Sequence, residues 1–150
     1  MKEEAIDEIT LRKYEKPYDT SEREIAKKVC LSLGLLQPGD SRDVIVDILL
    51  VLVKAKKERK KLSLKEIKEA VIEERKKANL EIRGIADSNI RRQLKKLKDL
   101  FFVEKTGNAY RISEFASLKH IFEEKIENFY VSSIIKRIKE YLEKLEKVGS

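Results

Sequence analysis

Cysteine and histidine are almost missing from this chain: Cys30 and His120 are the only ones among 150 residues. One cysteine makes no intramolecular disulfide, and one thiol leaves no thiolate zinc site. Cys30 falls on the apolar side of a helical stripe and reads as a small core residue. Lys27 and Lys28 beside it keep a redox reading open, because a reactive thiol wants an electropositive, exposed setting. His120 has only Glu123 and Glu124 near it at helical spacing and reads as a surface histidine rather than a metal ligand. Five glycines leave no Gly-rich phosphate loop. No Ser-His-Asp set occurs, nor a carboxylate pair at the end of an apolar strand. No catalytic residue, cofactor or metal is therefore expected, and no enzyme activity.

Long hydrophobic runs are missing too. The longest, Val44 to Val53, is interrupted by Asp47 and is far too short to span a bilayer. No basic start leads into an apolar stretch, so no signal peptide is read and a cytoplasmic protein is expected.

Charge is abundant instead. Charged residues make up 41% of the chain and apolar residues also 41%, enough for a core. Much of the charge is Lys and Glu on helix faces, a bias met in proteins from hot environments, where ion-pair networks lose less to desolvation. The net charge of +7 is unevenly placed. Residues 42–113 hold 20 Lys/Arg against 11 Asp/Glu, residues 1–41 hold 7 against 9, and residues 114–150 hold 7 against 7. A basic block in a near-neutral frame is the footprint of a polyanionic partner.

The patterning divides the chain into 1–40, an arm and a helix; 41–113, a central domain; and 114–150, a helical arm. The first nineteen residues are polar and weakly patterned, with Tyr14 and Tyr18 around Pro17. Ser21 with Glu24 reads as a capping box, opening a helix with Ile25, Ala26, Val29 and Leu33 on its apolar side and Gly34 at its end. After the turn Gln37 to Asp40, a helix from about Ser41 to Lys57 is apolar on more than one face and reads as buried. The basic stretch Lys54, Lys56, Lys57, Arg59, Lys60 and Lys61 ends it in solvent or against phosphate. Leu62, alone among polar neighbours, suits a single sheet contact. A second capping box, Ser63 with Glu66, opens a helix burying Leu64, Ile67, Ala70 and Val71. Leu80, Ile82 and Ile85 are expected to pin the turn after it. Asp87 or Ser88 then caps a helix with Ile90, Leu94 and Leu97 at i, i+4, i+7. Phe101 to Lys105, the tip Thr106-Gly107-Asn108 and Ala109 to Ser113 read as a β-hairpin. From Glu114 to Val148 the pattern is helical again, and its two apolar stripes fall out of phase near Asn128–Ser133, which predicts a kink or two helices.

The expected fold is mainly α with a small β-hairpin. Its order of helix, extended contact, helix, turn, helix and hairpin resembles the winged helix-turn-helix DNA-binding proteins of the archaeal and bacterial transcription-regulator type. The resemblance covers about residues 41–113. It is carried by Ser88-Asn89-Ile90-Arg91-Arg92-Gln93-Leu94-Lys95-Lys96-Leu97, then Phe101-Phe102-Val103-Glu104-Lys105 and Tyr110-Arg111-Ile112. It implies a recognition helix over 88–100, a wing, and a long C-terminal helix used for dimerisation.

Read by angle alone, Ile90, Leu94 and Leu97 point one way on that helix. Ser88, Arg92, Lys95 and, at the edges, Arg91 and Lys96 point away, with Asn89 near the start, the end that usually meets base edges. Arg grips guanine bidentately and Asn grips adenine, so the face carries sequence-reading chemistry. Asp99 also faces out and would repel a phosphate brought close. In the hairpin, Lys105, Asn108 and Arg111 are the phosphate-binding candidates. In the C-terminal arm, Val131, Ile134, Ile138, Tyr141, Leu145 and Val148 step 3-4-3-4-3, a heptad seam read as a homodimer interface, with folding back on the domain as the alternative. A two-fold dimer would set two recognition helices on successive major-groove faces of duplex DNA. The competing reading is an interaction module in a larger assembly, which never touches nucleic acid. RNA binding would want exposed aromatics, and Phe101, Phe102 and Tyr110 are largely needed by the hairpin core.

Overall fold

In the computed structural model, which describes residues 2–149, four helices end in one and the same way. They are α1 (Glu22–Ser32), α2 (Val44–Lys57), α3 (Leu64–Lys77) and α4 (Asp87–Asp99). After each cap one residue turns left-handed: Gly34 (φ 71°), Arg59 (52°), Asn79 (55°) and Phe101 (71°). The next amide then donates back across the last turn, as from Leu35 to Cys30, Lys60 to Ala55, Leu80 to Arg75 and Phe102 to Leu97. This is the Schellman arrangement, and it satisfies carbonyls that the helix leaves orphaned. Only Gly34 signals it in the sequence, and that position has a second reason to be glycine. A Cβ there would lie 2.6 Å from the Thr10 Cβ.

The starts differ. Ser63 and Glu66 form the expected reciprocal box at α3, whereas Ser21 accepts from the Glu24 amide without a return bond. Neither Asp87 nor Ser88 caps α4. The cap is Ala86, without a side-chain bond, and Asp87 stands in the first turn, 3.4 Å from Lys68. Asp43, at the start of α2, gives its amides no side-chain bond because its carboxylate is taken by two arginines.

One compact unit comprises Thr10–Ala116. Its centre is α2, buried from Val44 through Leu52. A three-stranded antiparallel sheet flanks it: β1 (Leu62–Ser63), β2 (Val103–Thr106) and β3 (Ala109–Ile112), in the order β1-β3-β2. Leu62 pairs with Tyr110, the single sheet contact expected of it, and Val103 pairs with Ile112. The hairpin tip is Gly107-Asn108 with positive φ only at Gly107, as a type II′ turn requires. Phe101 and Phe102, expected in the strand, instead form the α4 exit.

Asp47, in the middle of α2, is fully buried and shared by two arginines. Arg75 donates to it at 2.8 Å and to Asp43 at 3.0 Å; Arg23 donates to it at 3.2 Å and 3.3 Å and to Asp43 at 3.0 Å. The pairing ties α1, α2 and α3 together and sets how α1 is rotated. Arg23, Ala26 and Cys30 (i, i+3, i+7) turn inward, and Ile25, expected in the core, stays exposed. Burial pushes the Cys30 thiol up to about 12, away from redox reactivity.

The second unit comprises the residues before Thr10 with those from Ser117 on. Ser117 caps α5 (Leu118–Ile121), the run Phe122–Val131 is π-wound, and α6 (Ser132–Glu146) completes it. The dihedrals at both junctions stay helical, so the mismatch between the two stripes is taken up by winding rather than by a break. With i→i+5 bonding, Ile121, Ile126 and Val131, five apart, fall on one line; the first two are buried and the third half-buried. The Tyr130 hydroxyl donates to the Glu8 carbonyl at 3.0 Å. No helix among the described residues is long and apolar enough to cross a membrane.

Candidate nucleic-acid interface

Helix α4 is mounted by Ile90, Leu94 and Leu97, all but fully buried. Each contributes about 1.5–3 kcal/mol by leaving water, which holds the helix in one rotation. That rotation leaves Ser88, Arg91, Arg92, Lys95, Lys96 and Lys98 exposed together. Lys95 is paired with Asp99 at 2.8 Å, so the acidic residue on this face is neutralised locally. Arg91, Arg92, Lys96 and Lys98 have no ion-pair partner within 4.0 Å among the described residues. Such charges gain most from a polyanion, since they give up no existing pair.

Asn89 has another task. Its amide nitrogen donates to the Gly84 carbonyl at 2.6 Å, and its oxygen accepts from Gln93 at 3.1 Å and, at the limit, from Arg92 at 3.5 Å. The half-buried side chain therefore shapes the turn before α4. Arg75 helps from below, donating to the Glu81 carbonyl at 2.7 Å. Polar bonds thus anchor a turn expected to be pinned by apolar residues; Leu80 and Ile85 are half-buried and Ile82 is exposed. Gly84 (φ 74°) lies against α2, where a Cβ would come within 3.1 Å of Val44 Cγ2.

In the hairpin, Lys105 and Asn108 are exposed, Lys105 with its ammonium 5.6 Å from the Tyr110 ring centre. Arg111 is engaged within the fold. It donates to Glu104 across the strands at 2.6 Å and lies 4.7 Å from the Phe115 ring, which Arg59 approaches at 5.3 Å. The Glu104 carboxyl is held below its ordinary value by the Glu114 amide first, then, against some burial, by Arg111. Among the basic residues at and after the end of α2, Lys54 joins Glu22 and Glu74, and Lys60 joins Glu58.

Two arginines that sequence reading passed over stand beside α4. Arg42, from the α1–α2 loop, and Arg83, from the turn, line a cleft of about 520 Å³ with Arg92 and Lys96. Asp40 lies there too. The Arg42 amide, and after it the Arg42 side chain and the Lys96 charge, hold its carboxyl below the ordinary 3.8. The signal in the sequence was weak: isolated arginines next to Asp40-Ser41 and Gly84, outside any periodic segment.

The heptad residues occupy the second unit. Val131 and Ile134 are half-buried, and Ile138, Tyr141, Leu145 and Val148 are exposed, Ile138 at 53%. No residue of α6 is buried. Ile135 and Leu142 widen the stripe to three apolar positions per heptad, broader than a strict two-stranded seam. His120 lies 3.5 Å from Glu124, both exposed, and no group of three or more His, Cys, Asp or Glu is placed to hold a metal among the described residues. Comparison with known proteins adds no relative: no family model, no curated protein and no solved structure matches the chain.

Proposed function

We propose that this chain is a double-stranded DNA-binding protein of the winged-helix type, a homodimeric transcription regulator without catalytic activity that reads the major groove with α4. The observation that carries this reading is the outward face of α4. Arg91, Arg92, Lys96 and Lys98 stand exposed and unpaired there, on a helix fixed by three buried side chains. The element order around it supports the reading. Helix α2, strand β1, helices α3 and α4 and the β2–β3 hairpin succeed one another, with β1 closing the sheet against β3. Arg91, Arg92, Lys95 and Lys96 meet base edges and phosphates, Ser88 adds a hydroxyl, and Lys105 and Asn108 touch the backbone from the hairpin. Asn89 and Arg111 act mainly by holding the turn and the hairpin in shape.

A second reading, an assembly module that binds protein, is favoured by the uncovered apolar face of α6. Titration of labelled random duplex DNA at several salt concentrations separates the two. About five neutralised phosphates give a log–log slope of roughly −4 to −5. No binding at low salt, or a flat slope, removes the DNA reading in favour of the assembly module.

A further inference from the structure

The cleft beside α4 has more structure than groove binding requires. Its volume, about 520 Å³, lies within the usual range for small-molecule sites, about 300–1,000 Å³. Four cationic side chains reach it from three separate segments: Arg42, Arg83, and Arg92 with Lys96. Under them lie Leu36 and Val44, almost wholly buried yet lining the same space. The lining therefore combines apolar and cationic side chains.

The cations are loosely engaged. The exposed Arg42 pairs with the half-buried Asp40 at 3.3 Å, and Arg83 with Glu81 at 3.2 Å, both exposed; pairs with a solvent-exposed partner hold weakly. Lys96 and Arg92 have no ion pair among the described residues. Arg75 also borders the cleft, but Asp43, Asp47 and the Glu81 carbonyl use its donors. Asp43 is occupied by Arg23 and Arg75, which leaves Asp40 as the remaining carboxylate in the lining. Like charges gathered over a concave, low-dielectric wall focus a positive potential into it. Guanidinium forks fit phosphate oxygens in pairs, with a lysine as a point charge beside them.

We propose that this cleft binds a small phosphorylated organic molecule, its phosphate between Arg42, Arg83, Arg92 and Lys96 and its organic body on Leu36 and Val44. Arg92 and Lys96 also belong to the proposed DNA face, so the molecule and DNA compete for them, and the ligand acts as an effector that releases DNA. That consequence rests on the DNA reading; the binding of the small molecule does not.

The test uses the full chain with pyrophosphate, AMP and inorganic phosphate as probes, by calorimetry and by amide shifts in NMR. Pyrophosphate and AMP are expected to bind saturably at one site with dissociation constants below about 1 mM, AMP more tightly than inorganic phosphate. The shifted amides should cluster at Arg42, Gly84, Arg92 and Lys96. The double variant Arg42→Gln/Arg83→Gln, changed only at exposed side chains, should keep its circular dichroism and lose about tenfold or more in affinity for both. No saturable binding below about 5 mM overturns the proposal, as does binding that the double variant leaves unchanged. Where the double variant weakens DNA binding while neither probe binds, the cleft belongs to the DNA backbone and the small-molecule site is lost. Where the probes bind at the cleft but no DNA does, the DNA reading falls and this one stands.

Discussion

Asp47 is fully buried with two arginines upon it, and removing one partner of a buried ion pair leaves the other uncompensated. Asp47→Ala leaves Arg75 buried with half its compensation gone, and should cost about 3–5 kcal/mol in urea unfolding at neutral pH. The neighbouring Asp43 reports on the same pairing through pH. Burial works to raise its pKa, but the hydrogen bonds from Arg75 and Arg23 outweigh that and hold it below the ordinary 3.8. A depressed folded-state value means a contribution present above the unfolded value, at about pH 4 and higher, and lost as pH falls through the lower folded value. The stability gap between wild type and Asp43→Asn should therefore narrow as urea titrations move from pH 6 to pH 3; a constant gap would refute the pairing. None of this was legible in the sequence, where Asp47 looks like an interruption of an apolar run and Arg75 like one more basic residue at a helix end. A linear pattern shows faces, not partners 28 or 32 positions apart. The α4 face was legible because three buried residues at i, i+4, i+7 fix what points outward. Arg92→Ala should cost about 1–3 kcal/mol of discrimination between a selected duplex and a random one. Lys105→Ala should weaken both duplexes alike and flatten the salt dependence. Identical behaviour of the two variants in anisotropy titrations would remove base reading from α4.

Secondary elements were readable wherever the apolar period was unbroken, and their ends much less so. The four Schellman exits use one glycine, one arginine, one asparagine and one phenylalanine, so composition signals only Gly34. The other three are imposed by the path the chain must take beyond the helix: Phe102, for instance, must enter the core directly after α4. Non-glycine residues in that conformation carry strain, and Asn79 is an exposed position where it can be measured. Asn79→Gly should raise stability by a few tenths of a kcal/mol to about 1, whereas Asn79→Val should lower it by about 1–2 kcal/mol. Thermal melts that place the valine variant at or above wild type would show that the exit from α3 is not held left-handed. The π-wound run illustrates a different limit. Two stripes out of phase announce a change of register, but a period of 3.6 offers no reason to favour winding over a break. Only the buried pair Ile121 and Ile126, five apart, shows which was chosen.

Over the whole molecule, net charge divides unevenly between the two units, and most of the large exposed apolar side chains lie in the second. Thr10–Ala116 holds 26 Lys/Arg against 17 Asp/Glu, while the remainder holds 8 against 10. The net positive charge thus belongs to the first unit, and the second carries the exposed apolar stripe of α6. That helix has 15 residues and no buried side chain. A continuous apolar stripe left exposed on a helix calls for a partner surface. A second copy of the same helix is the partner that the proposed homodimer supplies. Ile138 lies in the middle of the stripe, so Ile138→Asp would place an unpaired charge at the centre of that contact. Sedimentation should show wild type as a dimer at micromolar concentration and Ile138→Asp as a monomer that keeps its helical circular dichroism. DNA affinity of the variant should fall by about 10²- to 10⁴-fold, because two linked sites bind far better than one. A wild-type chain that sediments as a monomer at micromolar concentration refutes the dimer. Unfolding of the variant would instead mean that the stripe is covered within its own chain.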